Sequence, residues 1–128
     1  MVTDPVLRQG LAEQFHRVPV HMLFCYEGRV ETQGPLAQAS LSGSILPAAW
    51  SFMLALRARR LGSAWTTLHL RYEHKAAALL GLPDTLTQAA RIPVAYYTGD
   101  DFKPARRAPL AERTHWNGWG KAHEGGER

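Results

Sequence analysis

The stretch "SILPAAWSFMLALRARRLG", residues 44–62, decides the fold. From Ile45 to Leu56 nearly every residue is apolar, and the run is too long for an ordinary strand. It reads as a helix buried on most of its circumference rather than an amphipathic one. Ser44 is the expected N-cap, and Pro47 falls in the first turn, where its missing N–H does little harm. Arg57, Arg59 and Arg60 complement the dipole of the last turns, and Gly62 is expected to supply a left-handed cap.

Working outward, "VPVHMLFCYEG" gives a mostly apolar strand from about Val20 to Tyr26, whose near-continuous apolar character predicts burial on both faces. Before it, Leu7, Leu11 and Phe15 fall at i, i+4 and i+8, which predicts a short helix over Asp4 to His16. The polar segment "GRVETQGPLAQA", with Gly28, Gly34 and Pro35, is expected to be a loop. On the far side of the helix, "SAWTTLHL" reads as a short strand or extended turn. "YEHKAAALLGLP" reads as a short helix closed by Gly81, with Pro83 beyond it, and "ARIPVAYYTGD" as a third strand ending at Gly99. The order strand, helix, strand, helix, strand predicts an α+β or α/β domain in which helices cover a small sheet. One domain is expected over residues 1–120, with 121–128 as a flexible polar tail.

The 128 residues are 45% hydrophobic and 20% charged, the range of a globular chain. The net charge of +4 is modest, and basic and acidic residues are interleaved, so no nucleic-acid arm is expected. The four tryptophans are dispersed as well. The single cysteine, Cys25, sits in an apolar run and is expected to be a small core residue. The apolar stretches read as too short or interrupted to span a bilayer, and no signal-peptide pattern opens the chain. No membrane partner and a cytoplasmic location are therefore expected.

The six histidines form no metal-ligand spacing. There is no GxSxG elbow, no GxGxxG and no Walker loop. What remains is a pairing of two stretches. "SAWTT" offers backbone amides and two hydroxyls just after the apolar helix. "KPARR", residues 103–107, gathers Lys103, Arg106 and Arg107 beside Pro104 and Pro109. Singly these are strand residues and a solvated basic segment. Together they supply both parts of a flavin mononucleotide site, with donors for the ring edge and guanidinium groups for the phosphate.

With "SILPAAWSFMLALRARRLGSAWTT", "LLGLP" and "IPVAYYTGDDFKPARRAPLAERTHW" in this order, the chain resembles the C-terminal half of the nitroreductase-like flavoproteins, from about Val18 to Trp119. The resemblance implies an α+β fold with a small central mixed or antiparallel sheet. It also implies a homodimer, or pairing with a partner subunit, and FMN at the dimer interface. Hydride would pass from NADH or NADPH through the flavin to a small-molecule acceptor such as a nitroaromatic or quinone. By position, Trp65, Thr66 and Thr67 match the segment along the flavin ring. Arg107 matches the phosphate-binding arginine, with Lys103 and Arg106 as the second cation. No catalytic side chain and no metal are implied. The Arg-Arg-Ser type segment of the family's first helix has no counterpart in "MVTDPVLRQGLAEQ", where Arg8 stands alone, so the chain is expected to correspond to a shortened member. The alternative function is a non-catalytic flavin-binding or degenerate member.

Overall fold

A computed structural model describes residues 13–99 and 102–122. The chain divides into two compact units, Met1–Thr98 and Gly99–Arg128. Among the described residues the first is α+β: a three-stranded open sheet, antiparallel throughout, with the α-helices Gly34–Ala58 and Glu73–Leu80.

Strand β1 (Val20–Glu27) and strand β2 (Leu61–Ser63) flank the long central strand β3 (Leu86–Tyr96). Val20 lies opposite Val94 and Glu27 opposite Leu86, with an irregularity between Phe24 and Cys25. On the other side Leu61 lies opposite Tyr96 and Ser63 opposite Val94. β3 is the strand buried on both faces: Ala90, Ile92, Pro93 and Val94 are all buried. The same was expected of β1, but β1 is an edge strand. Its Val20 and Met22 are exposed, and its residues from Leu23 to Tyr26 are only half-buried.

Helix α1 runs from Gly34 to Ala58, beginning ten residues before the expected cap. Gly34 has φ +81°, which a side chain would resist, and Pro35 supplies the preset φ of a first turn. The glycine and proline that read as loop residues are thus the start of the helix. Ser44 is no cap; its Oγ donates to the Leu41 carbonyl at 2.8 Å inside the helix. Pro47 is also internal, so the Gly43 carbonyl lacks the donor an unbroken helix would give it. At the other end Arg60, with φ 60°, takes the left-handed turn assigned to Gly62. Gly62 lies instead in β2. A Cβ there would stand 3.3 Å from Tyr97 Cβ and 3.4 Å from the Ala95 carbonyl, so close approach is what requires the glycine.

The core is one seam between α1 and the sheet. Ala49 and Leu56 meet Ile92 and Val94, with Phe24, Phe52, Met53 and Leu61 around them. Phe24 and Phe52 meet edge to face, ring centres 5.5 Å apart, a geometry that adds to simple burial. Among the described residues, only this side of α1 is covered. Trp50 and Leu54 are 57% and 54% exposed, against the expectation of a helix buried on most of its circumference. With its added first turns α1 is also long and apolar enough to cross a membrane by length and composition, with an 18-residue window of mean hydropathy 1.4. This corrects the reading of its apolar run as too short.

Helix α2 (Glu73–Leu80) ends as expected at Gly81, whose φ of 65° closes it. Arg29 fastens α2 to the sheet, donating to Glu73 Oε1 (3.0 Å), Glu31 Oε1 (2.9 Å) and the Asp84 carbonyl (3.1 Å). Glu73 in turn accepts from the Gln88 amide at 3.1 Å and from Gln88 Nε2 at 2.9 Å. The described residues of the second unit include a 3₁₀ turn, Leu110–Glu112, and a loop closed by the Trp116 N–H donating to the Lys121 carbonyl at 2.9 Å. Of the helix expected over Asp4 to His16, the part up to residue 12 lies outside the described residues; Glu13 and Gln14 are α-helical and run into a 3₁₀ turn, Phe15–Arg17.

Candidate functional site

One proline interrupts the pairing of the stretch after β2 with β3. After Ser63 the chain keeps the β2 register, and Thr66 makes an isolated antiparallel bridge to Arg91. Ala64 falls opposite Pro93 in that register, where Pro93 has no N–H to donate. The ladder is therefore interrupted at Ala64 and Trp65 and resumes at Thr66. Thr66 N–H donates to the Arg91 carbonyl at 3.0 Å, and the Arg91 N–H donates to the Thr66 carbonyl at 2.9 Å. Thr66 Oγ1 also donates to the Arg91 carbonyl, at 2.6 Å.

Around this interruption lies a cleft of about 340 Å³. Phe15, Trp65, Tyr96 and Tyr97 supply aromatic walls, and Pro93 and Thr66 complete them. In a strand, alternate side chains point to opposite faces. Pro93 and Ala95 therefore point away from the face where Ile92 and Val94 meet α1. The cleft thus opens on the side of the sheet that α1 leaves uncovered. An apolar, aromatic-walled groove of this kind suits a flat ring system. The tyrosine pair was visible in "AYYTGD" as aromatics closing a strand. Phe15 had no local signal, because it reaches the cleft from far away in sequence.

The polar donors are fewer than the sequence offered. The amide and hydroxyl of Thr66 are spent on Arg91. Thr67 is exposed and opens the 3₁₀ turn Leu68–Tyr72, its carbonyl accepting from the Leu70 N–H at 3.0 Å. Its amide and hydroxyl have no partner among the described residues. Arg57 donates to the Tyr97 hydroxyl and stacks on its ring, 5.0 Å from the centre, which fixes one wall. The Arg91 guanidinium stands over Phe15, 4.8 Å from the ring centre, and fixes another.

Behind Thr67, His69 has both ring nitrogens buried without a hydrogen-bond partner, as are Gln88 Oε1 and Arg91 Nε. Burial lowers the His69 pKa and the charge of Arg91 lowers it further, with Glu73 opposing. Burial, with a smaller contribution from Glu73, raises the Cys25 thiol, so the thiolate is disfavoured and the residue packs rather than reacts. Among the described residues no cluster of three or more His, Cys, Asp or Glu side chains could hold a metal.

Lys103, Arg106 and Arg107 belong to the second unit. They lie in a segment with neither helix nor strand and are exposed, with no hydrogen bond or ion pair among the described residues. Trp65, Thr66 and Thr67 are thus gathered beside one cleft in the first unit, and the three cations along one extended segment in the second. No protein-family profile, curated protein or solved structure matches this chain.

Proposed function

We propose that this chain is an FMN-dependent NAD(P)H oxidoreductase of nitroreductase type, acting on a nitroaromatic or quinone-like acceptor as a homodimer or with a partner subunit. The observation that carries the reading is the aromatic-walled cleft against Trp65 and Thr66. It supports binding of a flat ring where the sequence resemblance expects the flavin. The bound flavin would supply the hydride chemistry, and the protein supplies position and electrostatics.

In this reading Phe15, Trp65, Tyr96 and Tyr97 sandwich or edge the ring and keep water from one side. Thr66 does not address the ring; it holds the segment to β3, so that Trp65 stays at the cleft wall. The free amide and hydroxyl of Thr67 take the donor role. Arg107, with Lys103 and Arg106, takes the phosphate, since the planar guanidinium fork pairs its donors with phosphate oxygens. No side chain needs to act as acid or base toward the acceptor.

The test is the visible spectrum of the purified chain titrated with FMN, followed by NADPH and then a quinone. A flavin spectrum that bleaches with NADPH and returns with quinone is expected. Bound flavin that NADPH does not reduce would make the chain a flavin-binding protein without turnover. Failure to bind FMN at hundreds of micromolar would overturn both readings.

A further inference from the structure

We propose that Arg91 is the positioning residue of the aromatic cleft, kept there at a cost to stability, and that His69 makes its hold on the Phe15 wall sensitive to acid. The proposal rests on the reading of this cleft as a ring site. Arg91 reaches two of the cleft's walls. Its N–H donates to the Thr66 carbonyl at 2.9 Å and its carbonyl accepts from the Thr66 N–H at 3.0 Å, which fixes the residue next to Trp65. Its guanidinium stands over Phe15, 4.8 Å from the ring centre. Phe15 lies in a three-residue 3₁₀ turn with no buried residue, so the turn brings no core packing of its own to fix the ring. His21 also meets that ring edge to face, centres 6.0 Å apart, and its Nε2 lies 3.1 Å from the Phe15 carbonyl.

An arginine that served only the fold would be paired. Buried polar groups keep hydrogen-bond partners, and a buried group without one costs stability. Among the described residues the Arg91 side chain has no hydrogen bond and no ion pair, and its Nε is buried without a partner. A leucine at this position would spare that cost and keep both main-chain bonds to Thr66. What the arginine adds is a cation on the Phe15 ring, an attraction that holds the ring in place. A residue that lowers stability and serves binding is a common form of the trade between the two. His69 stands in the same buried condition, both ring nitrogens without a partner. The charges acting on it are Arg91, from β3, and Glu73, from α2. Burial and Arg91 disfavour a charged His69, with Glu73 opposing, so His69 is neutral at pH 7.5. As pH falls below the ordinary histidine value of about 6.5, His69 gains its charge beside Arg91, and repulsion drives the guanidinium from the Phe15 ring.

The experiment uses the full chain and flavin fluorescence. With FMN at pH 7.5, Arg91→Leu should weaken binding roughly two- to thirtyfold, while the thermal melt holds or rises. Arg91→Lys, which keeps a cation for the Phe15 ring, should recover part of the loss. A lowered melt, with Arg91→Lys binding no better than Arg91→Leu, would make Arg91 a residue of the fold and overturn its positioning role. Riboflavin, which has no phosphate to titrate, reads the acid sensitivity. Its binding should weaken from pH 7.5 to pH 5.5, and His69→Gln should remove most of that loss. A flat profile, or a loss removed instead by His21→Gln, would overturn the role of His69. If the native chain binds neither flavin, the ring reading falls and the role of Arg91 falls with it. Native binding that Arg91→Leu leaves unchanged would overturn the role of Arg91 alone.

Discussion

Leu61–Ser63 and Thr66 are fastened to β3 in one register, on either side of the break at Ala64 and Trp65, whereas residues 103–107 make no hydrogen bond to anything described. The first stretch has its geometry before any ligand arrives, since β3 and the packing of Gly62 against Tyr97 hold it. The second is exposed and lies in neither helix nor strand. Changes in the fastened stretch should therefore register as stability, and changes in the loose one as affinity.

The largest expected effect lies on the loose side. Arg107→Ala should weaken FMN by roughly thirty- to several-thousand-fold while leaving the thermal melt unchanged. Riboflavin, which lacks the phosphate, should bind the variant almost as it binds the native chain. Equal losses for both ligands, or a lowered melt, would show that Arg107 serves the fold.

Next comes the fastened stretch. Gly62→Val must push against Tyr97 and the Ala95 carbonyl, and overpacking of this kind costs about 1–3 kcal/mol in a urea titration. The same enlargement at Ala105, on the loose side, should stay within about 0.5 kcal/mol. If the two substitutions cost the same, the contrast between the stretches is lost.

A smaller difference separates adjacent hydroxyls. Thr66→Val removes a part-buried hydrogen bond to Arg91 and should cost about 1 kcal/mol. Thr67→Val removes no internal bond; its stability should hold while FMN binding falls. The reverse pattern would reassign the donor role to Thr66.

The slightest effect is a pH dependence just behind that pair. The folded chain holds the His69 pKa below its ordinary value, so the unfolded chain takes up the proton first. The stability at stake is complete above the ordinary histidine pKa of about 6.5 and declines as pH falls below it. Urea midpoints at pH 7.5 and 5.5 should show the decline, and His69→Leu should reduce it. An unchanged difference in that variant would place the pH dependence elsewhere.

Elements whose cause is local were legible in the sequence. α2 and its Gly81 cap, β3 from Ala90 onward and most of β1 follow from apolar runs bounded by turn residues, whereas the first residues of β3, from Leu86, lay before the expected strand. The start of α1 was not legible, because Gly34 and Pro35 punctuate a loop and a helix entrance with the same two letters. Arg60 took the reversal meant for Gly62 because the demand for a missing Cβ came from Tyr97, far away in sequence. The shallow burial of β1 depended on its place at the sheet edge, which no pattern within "VHMLFCY" encodes. In the candidate site, Trp65 to Thr67 could be singled out by type. That Thr66 is spent on β3 depends on the register beside Pro93, and that Phe15 walls the same cleft depends on a contact across most of the first unit.

Both outer strands of the sheet pair only with β3, and β3 is the last strand made. On a ribosome adding about 5–20 residues per second, β1 would be complete roughly 3 to 15 seconds before its partner existed. During that wait "VHMLFCY" is a naked apolar strand of the kind that pairs with its like on neighbouring chains. The order in which the strands are written thus sets a hazard during synthesis that the finished sheet no longer shows, and slower translation through residues 60–96 would lengthen it.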